Sequence, residues 1–341
     1  MRIRPVVPLF CALLTVAACT DDATSSEAAP ATAAARTPDV GAAVAASTAP
    51  EHYPVFPVPD DAVVALPSPD WLAADGEAVW VRLDGGQALR LDPRTGQTRA
   101  TAKLERGRDV DLCQGIGAGL GYAWSCSGTD VVRIDPDTGA VDATFPVGKT
   151  YSQGHLVTAA GLLWVLTGNG STLLGLDPAT GAVTSTVALG ARGSDLAAGP
   201  AGLWAVSAPD GAALRIDPAT AAVDLRVGGL DGPAVAAVTD QVWVSGGSTT
   251  SRIDPVSGQV EVTAPFGSGA DGGLAAGDGV VWVRSAQHFL VALDAEDGQP
   301  VAGYTWPDAT SGGDVVLAAG TLWATAYDDR ALFRLDPSPA G

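Results

Sequence analysis

One histidine and several aspartates recur at the same point of a repeated pattern, nine residues before a tryptophan or at the equivalent place in the irregular first copies. Ca²⁺ and Mg²⁺ prefer oxygen ligands, so one interpretation of a ring of carboxylates is a site for a divalent cation, Ca²⁺ or Mg²⁺. The alternative is that each aspartate accepts backbone N–H groups of its own loop. The candidate metal ligands are Asp70, Asp111, His155, Asp195 and Asp314.

The segment "GKTYSQGH", residues 148–155, is the most chemically varied of the loops that lead into this column. It offers an ammonium, a phenol, an amide and an imidazole close together. If the protein recognises a small ligand or a surface partner, we expect this loop to make the contacts. The candidate ligand-binding residues are Lys149, Tyr151, Gln153 and His155.

Signals for catalysis are weak. The chain contains three histidines, His52, His155 and His288. It has no G-x-S-x-G nucleophile elbow and no glycine-rich phosphate loop with a lysine. We therefore assign no catalytic residue and expect a binding protein rather than an enzyme.

A repeated unit must position these residues. A tryptophan recurs every 39 to 44 residues, and an Asp-Pro or Asp-Ala pair follows each one. This period is typical of a β-propeller blade. The tryptophans are Trp80, Trp124, Trp164, Trp204, Trp243, Trp282 and Trp323, and the aspartates are Asp92, Asp135, Asp177, Asp217, Asp254, Asp294 and Asp336.

Each copy divides into four short strands, as the fourth copy shows with "DLAAG", "GLWAVS", "ALRID" and "VDLRV". The third of these alternates apolar and polar residues, as a half-buried strand does. The phrase Asp-Pro-x-Thr/Ser-Gly that follows it predicts a hairpin turn, with its aspartate accepting backbone N–H groups. We interpret the tryptophans as filling the space between adjacent blades.

The seventh copy ends at "LFRLDP", residues 332–337, without an outer strand. Upstream of the first copy, Val63 to Leu66 matches an outer strand that leads into an inner one. We predict an all-β fold, a seven-bladed β-propeller of four-stranded antiparallel blades. The ring is closed by this N-terminal strand, which completes the last blade and hides sheet edges.

The N-terminus has the features of an export signal. Arg2 and Arg4 precede an apolar stretch that is too short to span a bilayer, and "VAAC" places small residues before Cys19. We predict a lipoprotein signal peptide over 1–18 with lipid on Cys19; an ordinary secretory signal is the alternative. Residues 19–50, rich in Ala, Ser, Thr and Pro, are predicted to be a disordered tether, and 51–341 the propeller. The predicted location is the cell membrane, lipid-anchored on the extracytoplasmic side.

Cysteine content and charge limit the partners. In an oxidising, exported setting, Cys113 and Cys126 predict a disulfide that braces the irregular second blade. The formal net charge of −19 excludes nucleic acid, whose phosphates would be repelled. We expect a monomer that meets the membrane only through the lipid on Cys19.

The pattern "GPAGLWAVS…LRIDPATAAV" resembles the exported YVTN/NHL-type and streptogramin-lyase-like (virginiamycin B lyase-like) propellers over about residues 62–337. The resemblance implies a seven-bladed propeller; in the lyases it also implies histidines, a glutamate and a magnesium ion that open a cyclic lactone. No glutamate stands three residues after any repeat tryptophan here. We therefore expect a binding or interaction module for an unknown surface protein or small ligand. The alternative is a metal-dependent lyase or hydrolase acting on a lactone-like substrate.

Overall fold

The structure is a computed structural model that describes residues 39–41, 44, 52–104, 115–148, 150, 154–307 and 312–338. These residues belong to one compact unit, Thr37–Gly341. Across these ranges, no helix is long and apolar enough to cross a membrane. Apart from two short 3-10 helices, Asp60–Ala62 and Gly168–Gly170, the regular structure is β-strand.

Seven antiparallel four-stranded sheets form the blades, each running from an inner to an outer strand. The inner strands are Pro69–Ala74, Ile116–Gly119, Val157–Ala159, Asp195–Gly199, Pro233–Val238, Leu274–Gly277 and Val315–Ala318. The second strands are Val79–Leu83, Tyr122–Ser127, Leu162–Thr167, Gly202–Ser207, Val242–Gly246, Val280–Ser285 and Thr321–Ala326. The third strands are Gln87–Leu91, Asp130–Ile134, Thr172–Leu176, Ala212–Asp217, Thr249–Ile253, Phe289–Asp294 and Ala331–Leu335. The outer strands are Thr98–Lys103, Val141–Pro146, Val183–Ala188, Ala222–Gly228, Val260–Ala264, Pro300–Thr305 and Val63–Ala65.

The inner strands contact one another in sequence from blade 1 to blade 7 and back to blade 1, so the ring is closed. Closure uses the N-terminal strand as predicted. Val63 pairs with Phe333 in the antiparallel outer pair of blade 7, and Leu66 N–H donates to Arg330 O at 3.0 Å. The predicted seven-bladed, all-β fold is confirmed.

Small residues let the inner strands approach closely. A Cβ atom added to Gly199 would collide with the carbonyl of Val238 in the next blade. Larger residues fill the wider space farther out, where the seven repeat tryptophans are all buried. Trp204 of blade 4, for example, packs with Val242, Val244 and Ile253 of blade 5. The interpretation of the tryptophans as fillers between blades is confirmed.

An arginine clip, which the sequence did not reveal, joins neighbouring blades on the outside of the ring. Arg133 on the third strand of blade 2 donates from Nε to Asp142 Oδ1 at 2.7 Å on the outer strand. Its Nη1 reaches the next blade and donates to Pro178 O at 2.9 Å. Arg215 and Arg252 repeat this arrangement in blades 4 and 5. Each clip ties one blade to the turn of the next.

Two further strands pair in parallel with outer strands. Val55–Pro57 lies along Gly303–Thr305 of blade 6, and Asp39–Gly41 lies along Arg226–Gly228 of blade 4. The second of these falls within the range predicted as a disordered tether, where the structure instead shows a short strand. Apart from residue 44, the remainder of the predicted tether and the whole predicted signal peptide lie outside the described residues.

The turn aspartates have the predicted structural role. Asp135 Oδ1 accepts the N–H groups of Asp137 at 3.1 Å and Thr138 at 2.8 Å. Hydrogen bonds from the Thr138 hydroxyl and backbone lower the pKa of Asp135. The last turn position has positive φ and holds glycine in five blades, but blade 4 has Ala221 there at φ +52°.

This departure generates a test. We expect Ala221→Gly to raise the free energy of unfolding by about 1 kcal/mol, because left-handed backbone costs an alanine about 1–2 kcal/mol. The reverse change, Gly96→Ala at φ +73°, should lower it by about 1 kcal/mol, since the added methyl lies 3.4 Å from Trp323 and meets no clash. Urea denaturation measures both. Shifts of the same sign in the two variants would contradict this account.

Candidate functional site

The loops that enter the inner strands and the loops between second and third strands lie on one face, because successive strands of a blade are antiparallel. We call this the entry face. The Asp-Pro turns and the turns between inner and second strands lie on the opposite face, the turn face. The column that contains His155, Asp195 and Asp314 lies on the entry face, at the mouth of the central channel.

The structure brings these three predicted residues into direct contact. His155 precedes the inner strand of blade 3, Asp195 begins that of blade 4, and Asp314 immediately precedes that of blade 7. His155 Nδ1 lies 3.0 Å from Asp195 Oδ1, and Nε2 lies 3.0 Å from Asp314 Oδ2. The imidazole therefore bridges the channel from blades 3 and 4 to blade 7. We call this set the hub bridge.

Two carboxylate partners require two ring N–H donors, which only the imidazolium form has. Burial lowers the pKa of His155, but the charges of Asp195 and Asp314 and their hydrogen bonds outweigh it and hold the pKa well above the usual 6.5. The two carboxylates are nearly sealed, with side chains 1% and 5% exposed. A buried charge pair of this kind depends on each member staying in place.

Backbone N–H groups hold Asp314 in position. Its Oδ2 accepts from Leu72 N–H of blade 1 at 2.8 Å, and its Oδ1 accepts from Val315 N–H at 2.8 Å. Gly273, the blade 6 member of the column, packs against it: an added Cβ would lie 2.7 Å from Asp314 Oδ1. The glycine in this column is therefore a packing requirement of the hub bridge.

Two residues that the sequence did not single out complete the network. Thr325 Oγ1 donates to Asp70 O at 2.7 Å and accepts from Asp314 N–H at 2.8 Å. Arg284, fully buried in blade 6, donates from Nε to Thr325 O at 3.0 Å and from Nη2 to Gly312 O at 3.1 Å. Burial lowers the pKa of Arg284 to about 10. Both residues stand two places after a repeat tryptophan, in a column that also holds Arg82 and Ser245. Polar residues at this position of a mostly apolar strand were the available signal.

Asp70 lies beside the hub bridge on the inner strand of blade 1, half buried. Burial above all, with Asp314, Asp84 and Asp271 adding to it and Arg82 opposing it, raises the pKa of Asp70 to about 7. Its backbone carbonyl rather than its carboxyl joins the network. Asp70 is therefore a partly protonated carboxyl at neutral pH, close to the mouth.

The remaining predicted site residues lie mostly outside the described ranges. These are Asp111, Lys149, Tyr151, Gln153, Cys19 and Cys113. Cys126 is buried on the second strand of blade 2, and its disulfide with Cys113 stays a prediction. His288 packs edge-on against Phe266 in blade 6, with ring centroids 5.5 Å apart, away from the hub bridge.

The geometry does not favour a divalent cation among these residues. Both nitrogens of His155 face carboxylates at hydrogen-bond distance. Across the described ranges, no group of three or more His, Cys, Asp or Glu side chains is arranged to hold a metal ion. The imidazolium supplies the positive charge between Asp195 and Asp314, and the predicted cation over Asp70, Asp111 and the hub bridge gains no support from this arrangement.

The fold has several similar solved structures. BamB from Moraxella catarrhalis is 15% identical over 78% of this chain and 84% of that chain, with a TM-score of 0.56. The Pan2 WD40 domain of Neurospora crassa is 12% identical over 80% and 93%, with a TM-score of 0.61. Hydrazine synthase of Kuenenia stuttgartiensis is 12% identical over 81% and 97%, with a TM-score of 0.66. No protein-family model matches the sequence, and the search of curated proteins found no match. At these identities the likeness shows the fold alone.

The hub bridge predicts a pH-dependent stability. His155→Gln leaves two buried carboxylates without their cation, and we expect it to lower the free energy of unfolding by about 3 kcal/mol at pH 6. The folded pKa of His155 is above the unfolded value, so its contribution is fully present below about pH 6.5 and is lost as the pH rises through the folded pKa. The difference between wild type and variant should shrink by up to about 1.4 kcal/mol per pH unit above pH 6.5.

Chemical denaturation of both proteins between about pH 6 and 9 measures this difference. A difference that is constant with pH would contradict an imidazolium at the hub.

Proposed function

We propose that this protein is a lipid-anchored, extracytoplasmic β-propeller that acts as a binding module, with the entry face as its recognition surface. The observation that carries the proposal is the hub bridge. The residues best suited to acid–base or metal chemistry at the channel mouth are bonded to one another and hold blades 3, 4 and 7 together. The mouth is thereby built as a rigid platform.

The charge of the entry face supports a basic partner. Asp231 and Asp271 are exposed on loops around the mouth, and Asp231 also accepts from Ser248 N–H at 2.8 Å. Complementary charge speeds association and selects partners. Outside the hub bridge, the acidic residues of the described loops of this face are Asp84, Asp210, Asp231, Asp271, Asp328 and Asp329, and the arginines are Arg192 and Arg330.

The similar solved structures do not identify the activity of this protein. One is named as a WD40 domain and another as hydrazine synthase, and propellers in general serve many unrelated tasks. The proposal of a binding module therefore rests on this chain's own entry face, and the lipid anchor rests on the Cys19 sequence motif.

Site-specific photocrosslinking tests the recognition surface. A benzophenone amino acid at Gln287, exposed on the entry face, should give a discrete crosslinked product in cells. The matched position is Val256 on the turn face, 80% exposed, which should give none. Because the Debye length falls to a few Å at high salt, charge attraction is screened, and the product should weaken when membranes are treated at about 0.5 M salt before irradiation. A crosslinked product from Val256 alone would place recognition on the turn face and contradict the proposal.

The anchor has its own test. Replacing Cys19 with alanine should move the protein from the membrane fraction to the soluble fraction and abolish incorporation of a labelled fatty acid, because the thiol is the proposed lipid acceptor. Cys11→Ala, within the predicted signal peptide, is the control and should leave both unchanged. Membrane attachment that persists in Cys19→Ala would refute the lipid anchor.

A further inference from the structure

A cleft on the turn face, between blades 5 and 6, has features that none of the assigned residues explains. Its volume is about 500 Å³, within the range of about 300–1,000 Å³ usual for small-ligand pockets. It lies on the opposite side of the ring from the hub bridge and the proposed recognition surface. Its lining includes Gln241, Trp243, Arg252, Asp278 and Glu296.

Trp243 differs from the other six repeat tryptophans in the state of its indole N–H. In blades 2, 3 and 4 this group donates to a carbonyl of its own blade, at 3.0 to 3.1 Å. In blades 1, 6 and 7 it is sealed without a partner. The side chain of Trp243 is only 1% exposed. Its indole N–H has no hydrogen bond among the described contacts, yet its nitrogen is not one of the fully buried, unpartnered atoms. Because Trp243 lines the cleft, this donor opens into it.

The turn before Trp243 is tied to the neighbouring blade. Thr239 N–H donates to Gln241 O at 2.9 Å, and Thr239 O accepts from Ala201 N–H of blade 4 at 2.8 Å. The carbonyls that accept the indole N–H in blades 2, 3 and 4 stand five or three residues before the tryptophan. The corresponding carbonyls here, of Val238 and Asp240, accept no indole N–H among the described contacts. Gln241 also lines the cleft, and its side-chain amide makes no hydrogen bond among the described contacts.

The arginine clip of blade 5 leaves a second donor unused. Arg252 Nε donates to Glu261 at 3.1 Å, and Nη1 donates to Ala295 O at 2.6 Å and Glu296 O at 2.9 Å. In blade 4 the corresponding Nη2 of Arg215 is bonded to Asp224 at 3.0 Å. Nη2 of Arg252 has no such partner among the described contacts.

A break in the repeat shapes the far wall. The residue after the turn aspartate is proline in six blades, but blade 6 has Ala295. Its N–H donates to Gly279 O at 2.9 Å, a bond that proline cannot make. This ties the two turns of blade 6 to each other, and the carboxylates of Asp278 and Glu296 beside them are exposed at the cleft.

We propose that this cleft binds a hydroxyl-rich organic cation of single-sugar size, chemically an amino sugar. The Trp243 N–H and Arg252 Nη2 donate to its oxygens, and Gln241 both donates and accepts. Asp278 and Glu296 accept from its ammonium and hydroxyl groups. Buried donors that lack a partner favour a ligand that supplies acceptors, since an unmade hydrogen bond is costly. Asp278 and Glu296 bring negative charge to the cleft, whereas the charge of Arg252, the one arginine of its lining, is already paired with Glu261. This balance favours a cationic ligand over an anionic one.

The test uses three probes with the same ring and different charge: glucosamine, glucose and glucuronate. The full chain in detergent, with ¹⁵N-labelled tryptophan, gives indole N–H signals by NMR, and Trp243→Phe assigns the one at the cleft. We expect that signal to move with glucosamine, less with glucose and least with glucuronate. No movement with any of the three, or glucuronate binding as tightly as glucosamine, would overturn the proposal.

Variants then separate the contacts from a change in fold. By ligand-detected NMR, Trp243→Phe should weaken glucosamine binding about fivefold, the loss of one hydrogen bond. Trp204→Phe, whose N–H is bonded to Ala201 O, is the matched control and should bind normally. Asp278→Asn with Glu296→Gln should abolish the preference for glucosamine over glucose. Equal weakening in Trp243→Phe and Trp204→Phe would attribute the effect to packing and refute the site.

Discussion

Closure of the ring is the constraint on which the rest of the structure depends. Each blade buries both of its faces only if a neighbour lies on either side, so a gap anywhere would expose a tryptophan and its cluster. The outer strand of blade 7 comes from Val63–Ala65, nearly the whole propeller away in sequence from its partner strand Ala331–Leu335. Blade 7 therefore cannot complete its sheet until both ends of the propeller meet.

Polar contacts reinforce closure both at the hub and farther out from the channel. At the hub, His155 joins blades 3 and 4 to blade 7, and Leu72 ties blade 1 to the same carboxylate. Farther out, the arginine clips of blades 2, 4 and 5, such as that of Arg133, connect each of these blades to a turn of the next. Burying charge at the hub is costly unless each charge is paired and hydrogen-bonded. The tight network around Asp314 meets that requirement, which accounts for the buried Thr325 and Arg284 that surround it.

The parts of the structure that repeat could be predicted from the sequence, and the parts that depend on one blade meeting another could not. The tryptophan period and the Asp-Pro turns specify the blade count and the closing strand, because each copy confirms the others. The column of His155, Asp195 and Asp314 was located correctly at the channel mouth. Its bonding was not, because no spacing shows that an imidazole from blade 3 reaches a carboxylate in blade 7. Arg284 was missed for the same reason, since two of its partners, Thr325 O and Gly312 O, lie in another blade.

The residues that differ from their counterparts in the other blades therefore make the polar contacts that are specific to one blade. They are of two kinds. His155 and Gly273 depart from their column and serve the ring itself, since both ring nitrogens of His155 face carboxylates and Gly273 leaves room for Asp314. Ala295 and the turn before Trp243 also depart, but they leave donors and carboxylates facing an open cleft. A departure whose polar atoms find hydrogen-bond partners within the ring stabilises the fold. A departure that places a nearly buried N–H beside an open cleft puts a donor within reach of a ligand, and a bound acceptor there would offset the cost of the unmade hydrogen bond.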